Sequence, residues 1–171
     1  MRSKCLTFKL FFAKMNPNNV PVWRAKMDIN STLNEVLVKL FRSVNTIEEK
    51  AIRTEEYQDV TTNDMHVIEA IGLDTAKNMT SVAKTLEVTT GTLTIAVNSL
   101  VKKGYVDRVR SEEDRRVVLV SLSDKGKKAY LHHRKFHEDM IEAVVSEMSE
   151  EEQRVLEKAL IKLITFFREN Y

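Results

Sequence analysis

The side chains best suited to chemistry lie in an uncharged stretch at residues 89–101, which is followed by lysines and arginines. Apolar residues recur there at helical spacing, and Gly104 supplies a C-terminal stop. The opposite face of the predicted helix carries Thr90, Thr92, Thr94, Ile95 and Asn98. Hydroxyl, amide and methyl groups contact base edges in a DNA groove, whereas a solvated helix face is normally charged. The stretch therefore favours a helix that approaches nucleic acid closely.

A shorter predicted helix precedes this one, with Val82, Ala83 and Leu86 on one face. Thr80 and Thr89 are the predicted N-caps of the two helices, because a threonine hydroxyl accepts a hydrogen bond from an unpaired backbone N–H. We expect both helix N-termini to contact phosphates. Two short helices across a tight connection make a helix-turn-helix.

A two-stranded ribbon with a cationic tip is predicted after the second helix. Residues 105–110 alternate apolar and polar side chains, residues 118–122 do so less cleanly, and residues 111–116 form the turn. The basic residues on or beside this ribbon are Lys102, Lys103, Arg108, Arg110, Arg115 and Arg116. Helix, turn, uncharged helix and basic ribbon is the layout of a winged helix-turn-helix, which predicts DNA binding. The alternative is a basic surface hairpin on some other helical domain.

The residue types also predict what each part of this layout contacts. Lys102, Lys103, Arg108 and Arg110 are expected to contact phosphates, which set affinity and salt dependence. The uncharged helix has no arginine or lysine for guanine, but it offers an asparagine for adenine and methyl groups for thymine. We therefore predict an A·T-rich near-palindrome as the operator, with Arg116, and Arg115 beside it, at the narrowed minor groove.

Residues 80–126 resemble the MarR family of bacterial transcription regulators, through this helix-turn-helix, the Asp114-Arg115-Arg116 turn and the VLVSLSDKG sequence that follows. Asp114 and Arg116 match the family's Asp-x-Arg pattern in the wing. The downstream sequences HHRKFH and MSEEE are similar to those of MarR-type repressors of fatty-acid biosynthesis genes. The resemblance covers about residues 30–168. It implies a homodimeric repressor for which an acyl chain on acyl carrier protein is the corepressor.

The rest of the chain predicts a mainly α fold with one small β-hairpin. Residues 28–171 are expected to form a single domain, in which 62–122 are the winged helix-turn-helix and 31–56 and 123–171 are dimerisation helices. Predicted caps are the Thr61 to Asp64 stretch, Ser123, and a Ser149-x-x-Glu152 capping box. The apolar stripes of the long helices are wider than one reading head can cover, which favours a subunit partner.

Residues 1–27 differ from the rest, with six basic residues, no acidic one, both prolines and the only cysteine, Cys5. We interpret them as translated upstream sequence, with a basic arm as the alternative. No apolar run approaches the eighteen or so residues that span a bilayer, so a soluble, cytoplasmic protein is expected.

Three histidines provide a competing interpretation. His133 and His137 are four residues apart on one predicted helix, and His66 lies on a helix expected to pack nearby, so a zinc-responsive regulator is the alternative. Core histidines satisfied by hydrogen bonds are the simpler reading, and no cofactor is expected to be required. No glycine-rich phosphate loop, nucleophile elbow or HExxH motif occurs, so enzymatic activity is not expected.

Overall fold

The computed structural model describes residues 28–170. The predictions about residues 1–27 lie outside this described part. The elements in chain order are α1 (Ile29–Glu35), a π-helical segment (Val36–Leu40), α2 (Phe41–Ile52), α3 (Thr62–Ile71), β1 (Lys77–Asn78), α4 (Met79–Thr85), α5 (Thr90–Lys102), β2 (Val106–Arg110), β3 (Val118–Leu122), α6 (Asp124–Val145) and α7 (Glu150–Asn170).

The predicted first helix is confirmed, and it contains a π-helical segment that the apolar pattern did not indicate. Its N-cap is Asp28, whose Oδ1 accepts a hydrogen bond from the backbone N–H of Ser31 at 2.8 Å. The N-terminal half leaves large apolar side chains exposed, including Leu40 at 52%. The C-terminal half buries Ile52 and the carboxylate-bearing Glu48. The same helix is therefore exposed to solvent in its N-terminal half and packed into the core in its C-terminal half.

Three of the later helices begin where the sequence predicts, each with a capping hydrogen bond between residues close in sequence. Thr61 and Asp64 form a reciprocal capping box at α3. Ser123 Oγ accepts from the backbone N–H of Gly126 at the start of α6. Ser149 and Glu152 exchange hydrogen bonds at the start of α7. These caps satisfy N–H groups that the first turn of a helix leaves without partners.

The β-sheet has three strands rather than the predicted two, in the order β1-β3-β2. β2 and β3 pair antiparallel, with Arg108 opposite Val120. β1 contributes only Lys77 and Asn78, which pair with Val120 and Leu119 of β3. Two residues are too few to show an alternating pattern, so this strand had no periodic signal in the sequence.

Gly126 allows the start of α6 to lie against the end of the helix-turn-helix. A Cβ at this position would lie 2.0 Å from the carbonyl oxygen of Tyr105 and 3.1 Å from its carbonyl carbon. No side chain fits there unless the backbone moves. The backbone N–H of Ser123 donates to the same Tyr105 oxygen at 3.0 Å, which holds the two segments together.

The described residues form two compact units, residues 28–135 and residues 136–170, with the boundary inside α6. The first unit holds the apolar core, which includes Met65, Ile68, Val97, Leu100 and Tyr105, each with no more than 1% of its surface exposed. The second unit is the end of α6 and all of α7. Within residues 28–170, no helix has the length and apolarity needed to cross a bilayer.

Candidate nucleic-acid interface

Helix α5 presents an uncharged face to solvent over residues 90–101, as the sequence predicts, and ends at the exposed Lys102. It buries Leu93, Val97 and Leu100. Its exposed face carries Thr90, Gly91, Thr92, Ile95 and Asn98. Ile95 is 75% exposed, which is unusual for an isoleucine and leaves its methyl groups available to a thymine methyl.

Internal hydrogen bonds hold the threonines of this face. Thr89 is the N-cap of α5, as predicted, and its Oγ1 accepts from the backbone N–H of Thr92 at 3.1 Å. The Thr89 and Thr92 hydroxyl oxygens are also 2.9 Å apart. The Thr94 hydroxyl donates to the carbonyl oxygen of Thr90 at 2.7 Å, and Thr94 is half-buried. Thr90 and Thr92 are therefore better placed than Thr94 to contact a base.

The N-cap of the first helix of the motif lies two residues before the predicted cap. Asn78 is its N-cap and accepts from the backbone N–H of Ser81 at 2.7 Å. The prediction that Thr80 caps this helix is wrong, because Met79 is already helical and Thr80 lies in the first turn as an exposed side chain. Asparagine is a better N-cap than threonine, so residue type agrees with Asn78 and did not support the choice of Thr80.

Arg108 of β2 lies next to Asn98 of α5. Its Nη1 donates to Asn98 Oδ1 at 2.9 Å, and both residues are exposed. Alternate residues of a strand lie on the same face, so Val106, Arg108 and Arg110 share one face of β2. Val106 is buried, and the two arginines are exposed. The structure thus places an arginine beside the uncharged helix, although none occurs within it.

The wing turn is shaped by Asp114 and exposes its arginines. Asp114 Oδ1 accepts from the backbone N–H of Arg116 at 2.9 Å, and the Asp114 carbonyl accepts from the N–H of Val117 at 2.9 Å. Ser111 Oγ accepts from the N–H of Glu113 at 3.3 Å. Asp114 therefore holds the backbone while Arg115 and Arg116 extend into solvent.

Lys103 has a partner among the described residues and is half-buried, whereas Lys102 is exposed. Its Nζ lies 2.7 Å from Asp64 Oδ2, and the two side chains are 26% and 10% exposed. Burial opposes ionisation of Asp64, but hydrogen bonds from Lys103 and Thr61 outweigh it and hold the pKa of the carboxyl below its ordinary value. Lys103 thus connects the end of α5 to the start of α3, and its ion pair competes with the predicted phosphate contact.

A second set of contacts, around Tyr105, holds the C-terminal end of α5. The sequence did not predict these contacts. The Tyr105 hydroxyl donates to Asp59 Oδ1 at 2.7 Å, and Lys125 lies 3.5 Å from Asp59 Oδ2. The Lys125 Nζ is 3.9 Å from the centre of the Tyr105 ring. Burial and the hydrogen bond to Asp59 raise the pKa of Tyr105, so its hydroxyl stays protonated and continues to donate. No local pattern links residues so distant in sequence.

His66 and His133, which were both considered for metal binding, lie beside the carboxylate of Glu48. His133 is buried, with Nε2 3.0 Å from Glu48 Oε1 and Nδ1 2.8 Å from Glu69 Oε1. His66 Nε2 lies 3.7 Å from the same Glu48 oxygen. Burial lowers the pKa of His133, but the Glu69 and Glu48 carboxylates outweigh burial and raise it. His137 lies one turn further along α6, in the other compact unit.

Comparison with known proteins agrees with this geometry. The family model described as transcriptional regulator SarA/Rot matches residues 49–131. The chain is 39% identical to Streptococcus pneumoniae FabT, in a crystal structure with DNA, with a TM-score of 0.78 over 83% of this chain and 99% of that one. It is 35% identical to SarZ, an HTH-type transcriptional regulator of Staphylococcus aureus strain USA300, over 57% of this chain and 67% of SarZ.

A mutant of Escherichia coli MarR bound to operator DNA shares the fold. It is 24% identical to the chain, with a TM-score of 0.56 over 80% of this chain and 99% of that one. The match extends the similarity beyond the winged helix-turn-helix to most of the described chain. Because the chain is 39% identical to FabT over 99% of that protein, it belongs to the MarR/SarA family of DNA-binding winged helix-turn-helix transcription regulators.

Proposed function

We propose that the protein represses transcription as a homodimer bound to an A·T-rich near-palindrome whose half-sites lie about one helical turn apart. The observation that carries the proposal is the exposed, uncharged face of α5 beside a cationic wing. Helix α5 would enter the major groove, with Ile95 and Thr90 near thymine methyl groups. Phosphate contacts would come from Lys102 and Arg110 and from the helix N-terminus at Thr89.

Arg116 is proposed to lie in the minor groove, which A·T tracts narrow and make more negative. It is exposed at the wing tip, on a turn held by Asp114. Arg116→Ala should weaken operator binding by about 1–3 kcal/mol, measured by fluorescence anisotropy at a fixed salt concentration. An unchanged affinity would remove Arg116 from the interface, and selection of a G·C-rich site from random duplexes would reject the A·T-rich operator.

The homodimer is proposed from apolar side chains that the described residues leave uncovered. They occur on the first helix, where Leu40 and Phe41 are 52% and 55% exposed, and on α7, where Ile161 and Phe166 are 55% and 52% exposed. Isolated exposed apolar residues are common, but stripes along whole helices favour an interface. Light scattering coupled to size-exclusion chromatography should give twice the chain mass. A mass equal to one chain would reject the dimer.

Genes of fatty-acid biosynthesis are the proposed targets, with an acyl chain on acyl carrier protein as corepressor. The similarity to FabT over 99% of that chain supports this choice. By linkage, the corepressor must bind the DNA-bound state more tightly than the unbound state. Genomic footprinting should find sites upstream of fatty-acid synthesis genes, and palmitoyl-acyl carrier protein should tighten operator binding while unacylated carrier protein should not. Sites at unrelated genes would reject the proposed targets.

A zinc-responsive regulator is the second candidate, supported by the cluster of Glu48, His66 and His133. One carboxylate oxygen within 3.7 Å of imidazole nitrogens from two different helices is a donor set that zinc accepts. Metal would have to replace the existing contact between His133 Nε2 and Glu48. Purified protein should then bind one zinc ion per chain in calorimetry, and His133→Ala should abolish binding. Operator affinity that chelator does not change would reject metal control.

A further inference from the structure

We propose that Arg108 determines specificity by acting with Asn98 as one base-reading pair, which selects a guanine in each half-site of an otherwise A·T-rich operator. The proposal rests on the DNA-binding function proposed above and makes it more specific. It changes the role expected for Arg108 from a phosphate contact to a base contact. It also changes the base expected for Asn98 from adenine to guanine.

The position of the pair supports a contact in the major groove. Gly91, Ile95 and Asn98 are spaced three and four residues apart, so they form one exposed stripe along α5. Asn98 is therefore next to Ile95, the most exposed apolar side chain of the helix at 75%. The hydrogen bond from Arg108 Nη1 to Asn98 Oδ1, at 2.9 Å, holds the guanidinium at the same stripe.

The hydrogen bond decides which groups the pair presents. A lone asparagine reads adenine by using its oxygen as an acceptor and its NH₂ as a donor at the same time. Here one lone pair of the Asn98 oxygen accepts from Arg108, and the bond places the Asn98 NH₂ and the remaining N–H groups of Arg108 side by side, so the pair presents mainly donors. Guanine is the base that offers two adjacent acceptors, N7 and O6, at its major-groove edge.

Arg110 provides a matched control. It is an exposed arginine on the same strand and the same face, two residues nearer the wing tip. A cation that only contacts phosphate should weaken binding to all sequences about equally and lower the slope of log affinity against log salt by about 1. A base-reading cation should instead change the preference at one position.

The experiment measures binding of the full chain to an operator and to every single base-pair substitution of one half-site. Wild type, Arg108→Ala, Arg108→Lys, Arg110→Ala and Asn98→Ala are compared, with melting temperatures measured to confirm folding. Wild type should lose about ten-fold or more in affinity when one G·C pair becomes A·T. Arg108→Ala and Asn98→Ala should each abolish that preference and keep preferences elsewhere. Arg108→Lys should restore part of it, and Arg110→Ala should retain it.

Two results would overturn the proposal in distinguishable ways. If wild type prefers certain bases but Arg108→Ala weakens all operator variants equally, Arg108 is a phosphate contact and only this proposal fails. Additive effects of Arg108→Ala and Asn98→Ala at the guanine position would also reject a joint pair. If wild type shows no preference at any position, the proposed function fails, and this proposal fails with it.

Discussion

The two compact units of the protein bury their apolar residues to very different degrees. In the unit at residues 28–135, Leu93, Val97 and Leu100 of α5 are 1%, 0% and 0% exposed. Helix α7 of the other described unit, residues 136–170, has no buried residue, and its Ile164 is 64% exposed. The DNA-reading unit therefore carries its own core, whereas the second unit needs further surface to cover its apolar stripe.

A substitution at Gly126 is expected to destabilise the unit at residues 28–135 more than any other change considered. Gly126→Ala should destabilise the protein by more than about 3 kcal/mol, because the new Cβ would lie 2.0 Å from the backbone oxygen of Tyr105. Urea unfolding followed by circular dichroism measures the loss. Gly91→Ala is the matched control, since its Cβ would meet only Thr89 Oγ1 at 3.7 Å. A stable Gly126→Ala protein would contradict the close approach.

Substitutions in α5 and α7 test the difference in burial directly. Leu100→Ala should cost about 2–5 kcal/mol of unfolding free energy, because it empties a fully buried site. Ile164→Asp should instead reduce the mass measured by light scattering from dimer to monomer and leave the helical content of the first unit intact. If Ile164→Asp protein stays dimeric, the interface lies elsewhere.

The ion pair between Asp64 and Lys103 tests how α5 is held to α3. Asp64→Asn should cost about 1–2 kcal/mol at pH 7, because Lys103 would donate to a neutral amide in place of a charged carboxylate. The folded-state pKa of Asp64 lies below its ordinary value of 3.8. The charge therefore stabilises the fold above about pH 4, and that stabilisation is lost as pH falls through the folded-state pKa.

Urea unfolding of wild type and Asp64→Asn across pH 2–7 should show this difference shrinking on acidification. Glu150→Gln is a matched control, since Glu150 pairs with Arg154 at 3.9 Å on the surface of α7. It should change stability by less than about 0.5 kcal/mol. A wild-type advantage over Asp64→Asn that persists at pH 2 would show that the charge is not its source.

The smallest expected effect concerns the turn between α4 and α5. Glu87 has φ of 54°, a left-handed conformation that costs energy for a residue with a Cβ. Glu87→Gly should stabilise the protein by less than about 1 kcal/mol, because relief of strain exceeds the entropy that glycine loses on folding. Calorimetric melting temperatures measure the gain. A lower melting temperature would mean that the Glu87 side chain stabilises the turn.

Local signals allowed much of the fold to be predicted from the sequence. Caps at Thr89, Ser123 and Ser149 involve residues within three positions of each other, so residue type and spacing suffice. The uncharged face of α5 and the cationic ribbon follow from periodicities of 3.6 and 2. The N-cap at Asn78 was missed, although asparagine is a better N-cap than threonine.

Features that join distant residues could not be predicted in this way. Strand β1 has two residues and exists because β3 offers an edge. Lys103 and Lys102 are adjacent cations in the sequence, yet only Lys103 meets Asp64, 39 positions away. Arg108 looked like one more wing cation, and its contact with Asn98 depends on how β2 packs beside α5. Each case depends on the path of the chain in space.

The amino-acid sequence by itself determined that two short helices and a basic ribbon follow one another and that the outer face of the second helix carries no charge before Lys102. These properties depend on hydrogen bonds and apolar spacing within one or two turns. Only the tertiary structure decided which cations face outward, which are held in ion pairs, and which one lies beside the reading helix. The reason is physical. Packing between helices and strands determines which groups a buried charge or an exposed arginine contacts, and the order of neighbouring residues in the sequence does not contain those distances.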